Sequence, residues 1–195
     1  MANVIGGDDE LWIFAYGSLV WNPGIDVAET RRATLVDFRR RFCMWSIHHR
    51  GSEENPGLVL ALEPAAGATC SGLAIRASDP AAALETLRER ELVSAAYVEE
   101  NVTLLGEDDL AIRATTYVIR TDHAQYTGEL PLERQAEVIA RAIGGRGPNH
   151  EYLTRTAAGL HDLEIGDADL DWLVTRVQQI REGACAALVD GSGES

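Results

Sequence analysis

Two features of this 195-residue chain could do chemistry, and the first is Glu91. The sequence predicts a helix over Asp79–Glu91, with Asp79 able to cap it and Pro80 suited to its first position. Leu84 and Leu87 define its inward stripe, and Glu91 falls on that stripe, four residues after Leu87. A carboxylate turned inward is costly unless it is paired or functional. Two readings stand at this point: a working acid, or a helix-end residue that reaches water or pairs with Arg88 or Arg90. Glu85 and Glu89 lie on other faces and read as solvated acids. The second feature is Tyr16-Gly17-Ser18-Leu19, which follows the apolar run Leu11–Ala15. A buried strand that stops at a glycine suits a tight loop, and Gly17 lets the backbone approach a ligand closely. Such a turn can aim amide N–H groups outward as an anion or oxyanion site. The plainer reading is an N-terminal strand followed by an ordinary turn.

Other reactive residue types form no pattern. His48 and His49 are adjacent, so on a strand they face opposite ways and cannot chelate one metal together. His123, His150 and His161 are scattered, and no zinc or metalloprotease spacing is present. Cys43, Cys70 and Cys185 are too few and too far apart for a disulfide framework, and Cys43 among Phe42, Met44 and Trp45 reads as a buried thiol. Ser18 has no nucleophile elbow around it. Gly144-Gly145-Arg146-Gly147 follows a helix and reads as a loop.

The elements that must position Glu91 and the loop are strands first and helices later. Strands are expected at Leu11–Tyr16, Ala33–Val36, Phe42–Ile47, Leu58–Leu62, Cys70–Arg76, Tyr97–Leu104 and Ala111–Ile119, with turn signals such as Asn55-Pro56-Gly57 between them. Helices are expected at Pro131–Ile143, Asn149–Leu160 and Asp167–Ile180. This order implies an α+β fold in which short strands close into a small mixed barrel of about six to seven strands with flanking helices. One domain is expected over 11–185, between a flexible N-terminus (1–10) and a flexible tail (186–195).

The formal charge of −14 argues against nucleic acid and anionic membranes as partners. Arg31, Arg32, Arg39, Arg40 and Arg41 cluster, and most are read as a solvated face. The acidic start lacks the features of a signal peptide, and no apolar run is long enough to span a membrane. A cytoplasmic protein acting on a small molecule is the expectation. The sequence carries no signal of oligomeric state.

Taken together, several segments resemble the ChaC-like γ-glutamylcyclotransferase family. They are Leu11-Trp12-Ile13-Phe14-Ala15-Tyr16-Gly17-Ser18-Leu19-Val20-Trp21-Asn22-Pro23, Arg39-Arg40-Arg41-Phe42, His49-Arg50-Gly51, Asn55-Pro56-Gly57-Leu58-Val59, Arg90-Glu91 with Tyr97 downstream, and Gly147-Pro148-Asn149-His150-Glu151-Tyr152-Leu153. The resemblance implies a reaction in which the α-amine of a γ-glutamyl group attacks its own γ-carbonyl. The products are 5-oxoproline and the released amine, which for glutathione is Cys-Gly. It implies no metal and no organic cofactor. It makes Glu91 the catalytic base and assigns Tyr16, Gly17, Ser18, Leu19 and Tyr97 to substrate binding, the loop amides holding either the oxyanion or the α-carboxylate. Tyr117 matches a pocket tyrosine of the family and equally suits a core strand. Two other readings are a cyclotransferase for another γ-glutamyl amide or peptide, and a binding protein for γ-glutamyl metabolites; an intact Glu91 argues against the latter. The chain departs from the family at Ala95-Ala96, where Gly-Gly is frequent, and at Met44-Trp45-Ser46-Ile47-His48, where polar residues are usual. The second stretch is expected to contact the substrate beyond its γ-glutamyl group.

Overall fold

The computed structural model describes residues 4–7, 9–107 and 110–190, with side chains as far as residue 184. Six strands form one sheet: β1 (Val4–Ile5), β2 (Trp12–Ala15), β3 (Val27–Ser46), β4 (Gly57–Ala77), β5 (Tyr97–Gly106) and β6 (Ala111–Ile119). Their order is β1-β6-β2-β4-β3-β5, and an antiparallel β5–β6 pairing closes the last five into a barrel. β1 adds to it by pairing parallel with β6. The mixed α+β barrel is the architecture expected from the sequence.

The strands differ from expectation in one respect. Two predicted pairs of short strands are in fact two long ones, β3 and β4, paired along their whole length from Ser46↔Gly57 to Val27↔Ala77. Short polar and small-residue stretches inside them read as breaks in the sequence. In the structure they are bulges, the largest at Val36–Phe38, where the register jumps from Thr69 to Pro64. Asp37 there has φ +65° and its carboxylate accepts a hydrogen bond from the Gly67 N–H (2.8 Å), Gly67 itself having φ +78°. An aspartate tolerates this left-handed backbone better than most residues.

The bulged ribbon serves two layers. Ala33, Leu35, Cys70 and Ala74 join Trp12, Phe14, Leu104, Ile112 and Ala114 in a core drawn from the strands alone, inside the barrel. Phe42, Leu58 and Leu60, beyond the bulge, pack against helices α2 (Leu132–Arg141), α3 (Asn149–Asp162) and α4 (Ala168–Asp190) through Ile139, Leu153, Leu160, Leu173 and Val177. Each such side chain contributes roughly 1.5–3 kcal/mol by leaving water. Helix α1 (Pro80–Glu91) covers a third cluster that includes Ile13, Ala15, Leu87 and Tyr97. Asp79 caps α1, accepting from the amides of Ala81 and Ala82 at 3.1 Å each.

At the ends, Val4–Ile5 is held by β6, and α4 continues to Asp190, past the expected boundary at 185. Residues 191–195 lie outside the described residues. No described helix is long and apolar enough to cross a membrane.

Candidate active site

Glu91 is the last residue of α1, on the stripe that buries Ala83 and Leu87. Only 18% of its side chain is exposed. Burial raises its carboxyl above the usual range, while the guanidinium groups of Arg90 and Arg146 work in the opposite direction. Arg90 Nε lies 3.1 Å from Glu91 Oε1, so the sequence reading of an Arg90 partner describes the ion pair found. The same guanidinium donates to the Ser18 hydroxyl (2.9 Å) and to the carbonyl of Asn22 (2.7 Å). Arg90 therefore ties the carboxylate to the loop after β2. Arg88 is committed elsewhere, to Glu99.

That loop runs from Tyr16 into a single 3-10 turn at Ser18–Val20. Its carbonyls are used: Val20 N–H bonds to Gly17 O, and the N–H groups of Trp21 and Asn22 bond to Ser18 O. Among the described residues, the amide N–H groups of Gly17, Ser18 and Leu19 have no backbone acceptor. This is the ordinary state of a turn's first donors, and it leaves them available to an anion. The Leu19 side chain is buried in the core, so only its backbone can serve the site. Arg40 fixes the loop from below, donating to Tyr16 O (3.1 Å) and Ser71 O (2.8 Å) while paired with Asp167 at 2.9 Å. The solvated reading holds for Arg31 and Arg32. It fails for Arg40 and Arg41, whose side chains are 7% and 13% exposed; Arg41 pairs with the buried Glu63. Their partners come from distant segments, which a local reading cannot see.

Three phenols surround the carboxylate. Tyr16 Oη donates to Tyr117 O at 2.8 Å. Tyr97 Oη donates to Leu60 O at 3.2 Å, and the Leu60 N–H donates to Tyr152 Oη at 3.2 Å. A Cβ on Gly17 would sit 3.5 Å from Tyr152 Oη, so loop, β4 and α3 meet there. Burial, with Glu91 adding to it, pushes the phenol pKa of Tyr16, Tyr97 and Tyr152 upward and keeps all three protonated. Tyr117 is also buried, but its hydroxyl lies 3.4 Å from Glu99 rather than on the cleft. Tyr152 was legible only as part of a helix stripe and a resembling motif. It enters the site because Asn149, fully buried, clamps the start of α3 to Leu58 through two 2.7 Å hydrogen bonds.

A cleft of about 270 Å³ opens over Glu91, its wall including Arg90, Tyr97, Tyr152, His49 and Gln125. That volume suits a small metabolite. Met44, Ser46, Ile47 and His48 line it too, so most of the stretch singled out in the sequence reaches the cleft. Burial lowers the His49 imidazole, as do the nearby Arg146, His48, Arg90 and Arg50. The loop closing the cleft after α1 contains Ala95 at φ +54°, a conformation costing roughly 1 kcal/mol for a residue with a Cβ. Among the described residues no three His, Cys, Asp or Glu side chains converge as metal ligands. Of the residues the sequence assigned to the site, Glu91 and Tyr97 line this cleft; Tyr16, Gly17, Ser18, Leu19 and Tyr117 are not among its lining residues, and the loop is joined to it through Arg90 and Tyr152. Together, the carboxylate and the open loop amides can accept a proton from a bound amine and stabilise a developing negative charge.

The family model described as ChaC-like protein matches residues 11–180. A glutathione-specific γ-glutamylcyclotransferase of Escherichia coli (strain K12) is 31% identical over 172 residues, covering 87% of this chain and 74% of that protein. Glutathione-specific γ-glutamylcyclotransferase 1 of Homo sapiens is 33% identical over 193 residues, covering 96% and 81% respectively. In fold, a crystal structure of a yeast γ-glutamyl cyclotransferase specific to glutathione superposes with a TM-score of 0.81 at 21% identity, over 89% of this chain and 98% of that one. This chain belongs to the ChaC-like family of γ-glutamylcyclotransferases.

Proposed function

We propose that this protein cyclises the γ-glutamyl group of glutathione in the cytoplasm, with Glu91 as its base. The observation that carries the reading is Glu91 itself: a mostly buried carboxylate held to the open loop of Tyr16–Leu19 by Arg90. A bound α-ammonium gives its proton to Glu91 and becomes a nucleophile. Its nitrogen forms a bond to the γ-carbonyl carbon, and the amides of Gly17, Ser18 and Leu19 receive the resulting oxyanion or hold the α-carboxylate. The bond from that carbon to the cysteinyl nitrogen breaks as Glu91 returns its proton to the departing nitrogen, and the ring nitrogen gives up its second proton to the freed carboxylate, from which it passes to the amine of Cys-Gly. The products are 5-oxoproline and Cys-Gly. The ring closure is intramolecular, so holding the glutamyl chain folded supplies much of the rate. Tyr97 and Tyr152 line the cleft, and the Tyr152 hydroxyl, which accepts from the Leu60 N–H, keeps its own proton to donate.

The test is incubation with glutathione and with N-acetyl-glutathione. Expected is 5-oxoproline from the first and no product from the second, whose amine is blocked. Release of free glutamate in place of 5-oxoproline refutes the reading, because a hydrolase uses water as nucleophile.

A further inference from the structure

Tyr16, Tyr97, Tyr117 and Tyr152 are buried, and each hydroxyl has a proton to place. Tyr16 donates to Tyr117 O, and Tyr97 donates to Leu60 O. The Tyr117 hydroxyl faces the carboxylate of Glu99. Those three protons are spent inside the protein. Tyr152 differs. Its oxygen accepts from the Leu60 N–H at 3.2 Å, and its own O–H has no acceptor among the described residues. A buried donor without an acceptor is costly unless something else meets it.

The group is also held in place. Its ring packs edge-on against Phe42, with centroids 6.0 Å apart, and the Arg50 guanidinium lies over it, 5.7 Å from the centroid. Arg50 is itself buried and fixed, donating to Arg146 O (2.7 Å) and Pro148 O (3.2 Å). Tyr152 and Glu91 line the same cleft. The turn after β2 comes alongside, since a Cβ on Gly17 would sit 3.5 Å from Tyr152 Oη. The bond received from Leu60 polarises the hydroxyl and strengthens it as a donor. The cation over the ring favours the negative charge that a donating phenol takes on.

We infer that Tyr152 is a second catalytic residue, its hydroxyl donating a hydrogen bond to the γ-carbonyl oxygen as that oxygen becomes an oxyanion. This rests on the γ-glutamyl reading above and deepens it. When the amine nitrogen bonds to the γ-carbon, the carbonyl π pair moves onto the oxygen. Tyr152 meets that charge and keeps its proton. When the bond to the cysteinyl nitrogen breaks, the pair returns, the carbonyl of 5-oxoproline forms, and the hydroxyl is unchanged. A donor that must keep its proton has to be a weak acid, and burial together with Glu91 makes Tyr152 one.

The test measures 5-oxoproline from glutathione with the wild type, with Tyr152→Phe, and with Tyr152 replaced by fluorotyrosine. Activity is counted per folded molecule, because Phe leaves the Leu60 N–H unpaired and lowers Tm. Tyr152→Phe is expected to lower kcat about 100-fold while KM moves less than about threefold, as for a contact that strengthens only in the transition state. A kcat within about threefold of the wild type overturns the assignment, and so does a loss confined to KM. Fluorotyrosine keeps the ring and the hydroxyl, so its variant folds, but its phenol is more acidic. An ionised phenol cannot donate, so kcat falls as pH rises through the phenol's pKa. The fluorinated variant is expected to enter that fall at lower pH than the wild type. Glu91, Arg90, Arg50, Tyr16 and Tyr97 bear on the phenol in both proteins, so the difference reads the substituted ring alone. An alkaline limb at the same pH in both overturns the assignment. In those cases continued formation of 5-oxoproline leaves Glu91 as the base. If the wild type forms no 5-oxoproline, the cyclotransferase reading fails and the role of Tyr152 falls with it.

Discussion

Replacing Asn149 by alanine is expected to cost more stability than any change at a surface residue of this protein. The amide of Asn149 is fully buried and satisfies both backbone groups of Leu58: its Oδ1 accepts from the N–H and its Nδ2 donates to the C=O, each at 2.7 Å. Alanine leaves a buried donor and a buried acceptor unpaired. Each orphan costs roughly 1–3 kcal/mol, so the pair costs about 4 kcal/mol. That is a large share of the roughly 5–15 kcal/mol that holds a domain together. At roughly 2–4 °C per kcal/mol for a chain of this size, Tm falls by about 8–16 °C. Differential scanning calorimetry measures this, and a urea series with an unchanged m-value checks that the unfolded state is not responsible. The loss extends to function, because α3 carries Tyr152 against Leu60 and Gly17. A drop in Tm below about 3 °C would refute the reasoning: it would mean that water or a shifted backbone satisfies Leu58.

Glu91→Gln is expected to cut kcat about 100- to 10,000-fold, since the amide cannot accept the ammonium proton; near-normal 5-oxoproline release would remove Glu91 as the base. The raised carboxyl of Glu91 also sets a pH signature. Turnover needs the ionised form, so kcat/KM falls as pH drops through a value above the ordinary carboxylate range. The folded state binds this proton more tightly than the unfolded state. Glu91 therefore lowers stability as pH rises through that window, and the Gln variant is more stable at neutral pH, with the gap closing in acid. A gap that persists unchanged in acid would contradict this. Gly17→Val is expected to keep the fold but lower kcat about 100-fold, because its methyl groups press on Tyr152 Oη and the loop amides; activity per folded molecule, with folding followed by circular dichroism, checks it.

What the sequence revealed about the site was mostly local. Glu91 shares a helix with the residues that define its stripe, and Gly17 directly follows its strand, so both could be read from neighbours. Ala95 stands where glycine is frequent in the family it resembles, and its φ of +54° gives that difference a physical meaning. The missed parts are pairings across the chain. Arg40 reads as a surface arginine until Asp167 and Tyr16 O are brought to it. Glu63 looks like an ordinary strand acid, yet it is buried beneath Arg39, Arg41 and the Tyr126 hydroxyl. Burial pushes its carboxyl up, but those donors prevail and hold it low. The long ribbon reads as four strands in the sequence; Asp37 and Gly67, which fall between the expected strands, bond to each other across one bulge.

The ribbon also dictates an order of assembly. Its pairing starts where Ser46 faces Gly57 across a short connection and zips outward, each step closing little extra chain. Closure of the barrel is different: Ile13 must find Thr115, nearly the whole strand region away. Contacts of that span are slow to form. Glu63 and its arginines belong to the ribbon and assemble early. The Tyr16–Leu19 loop meets Glu91 only when β2 has docked. A molecule that had formed the ribbon alone is expected to be catalytically silent, because Glu91 and the loop would not yet have met. In refolding followed by pulsed hydrogen exchange, ribbon amides are expected to gain protection before 5-oxoproline formation returns; simultaneous recovery would place zipping and closure in a single step.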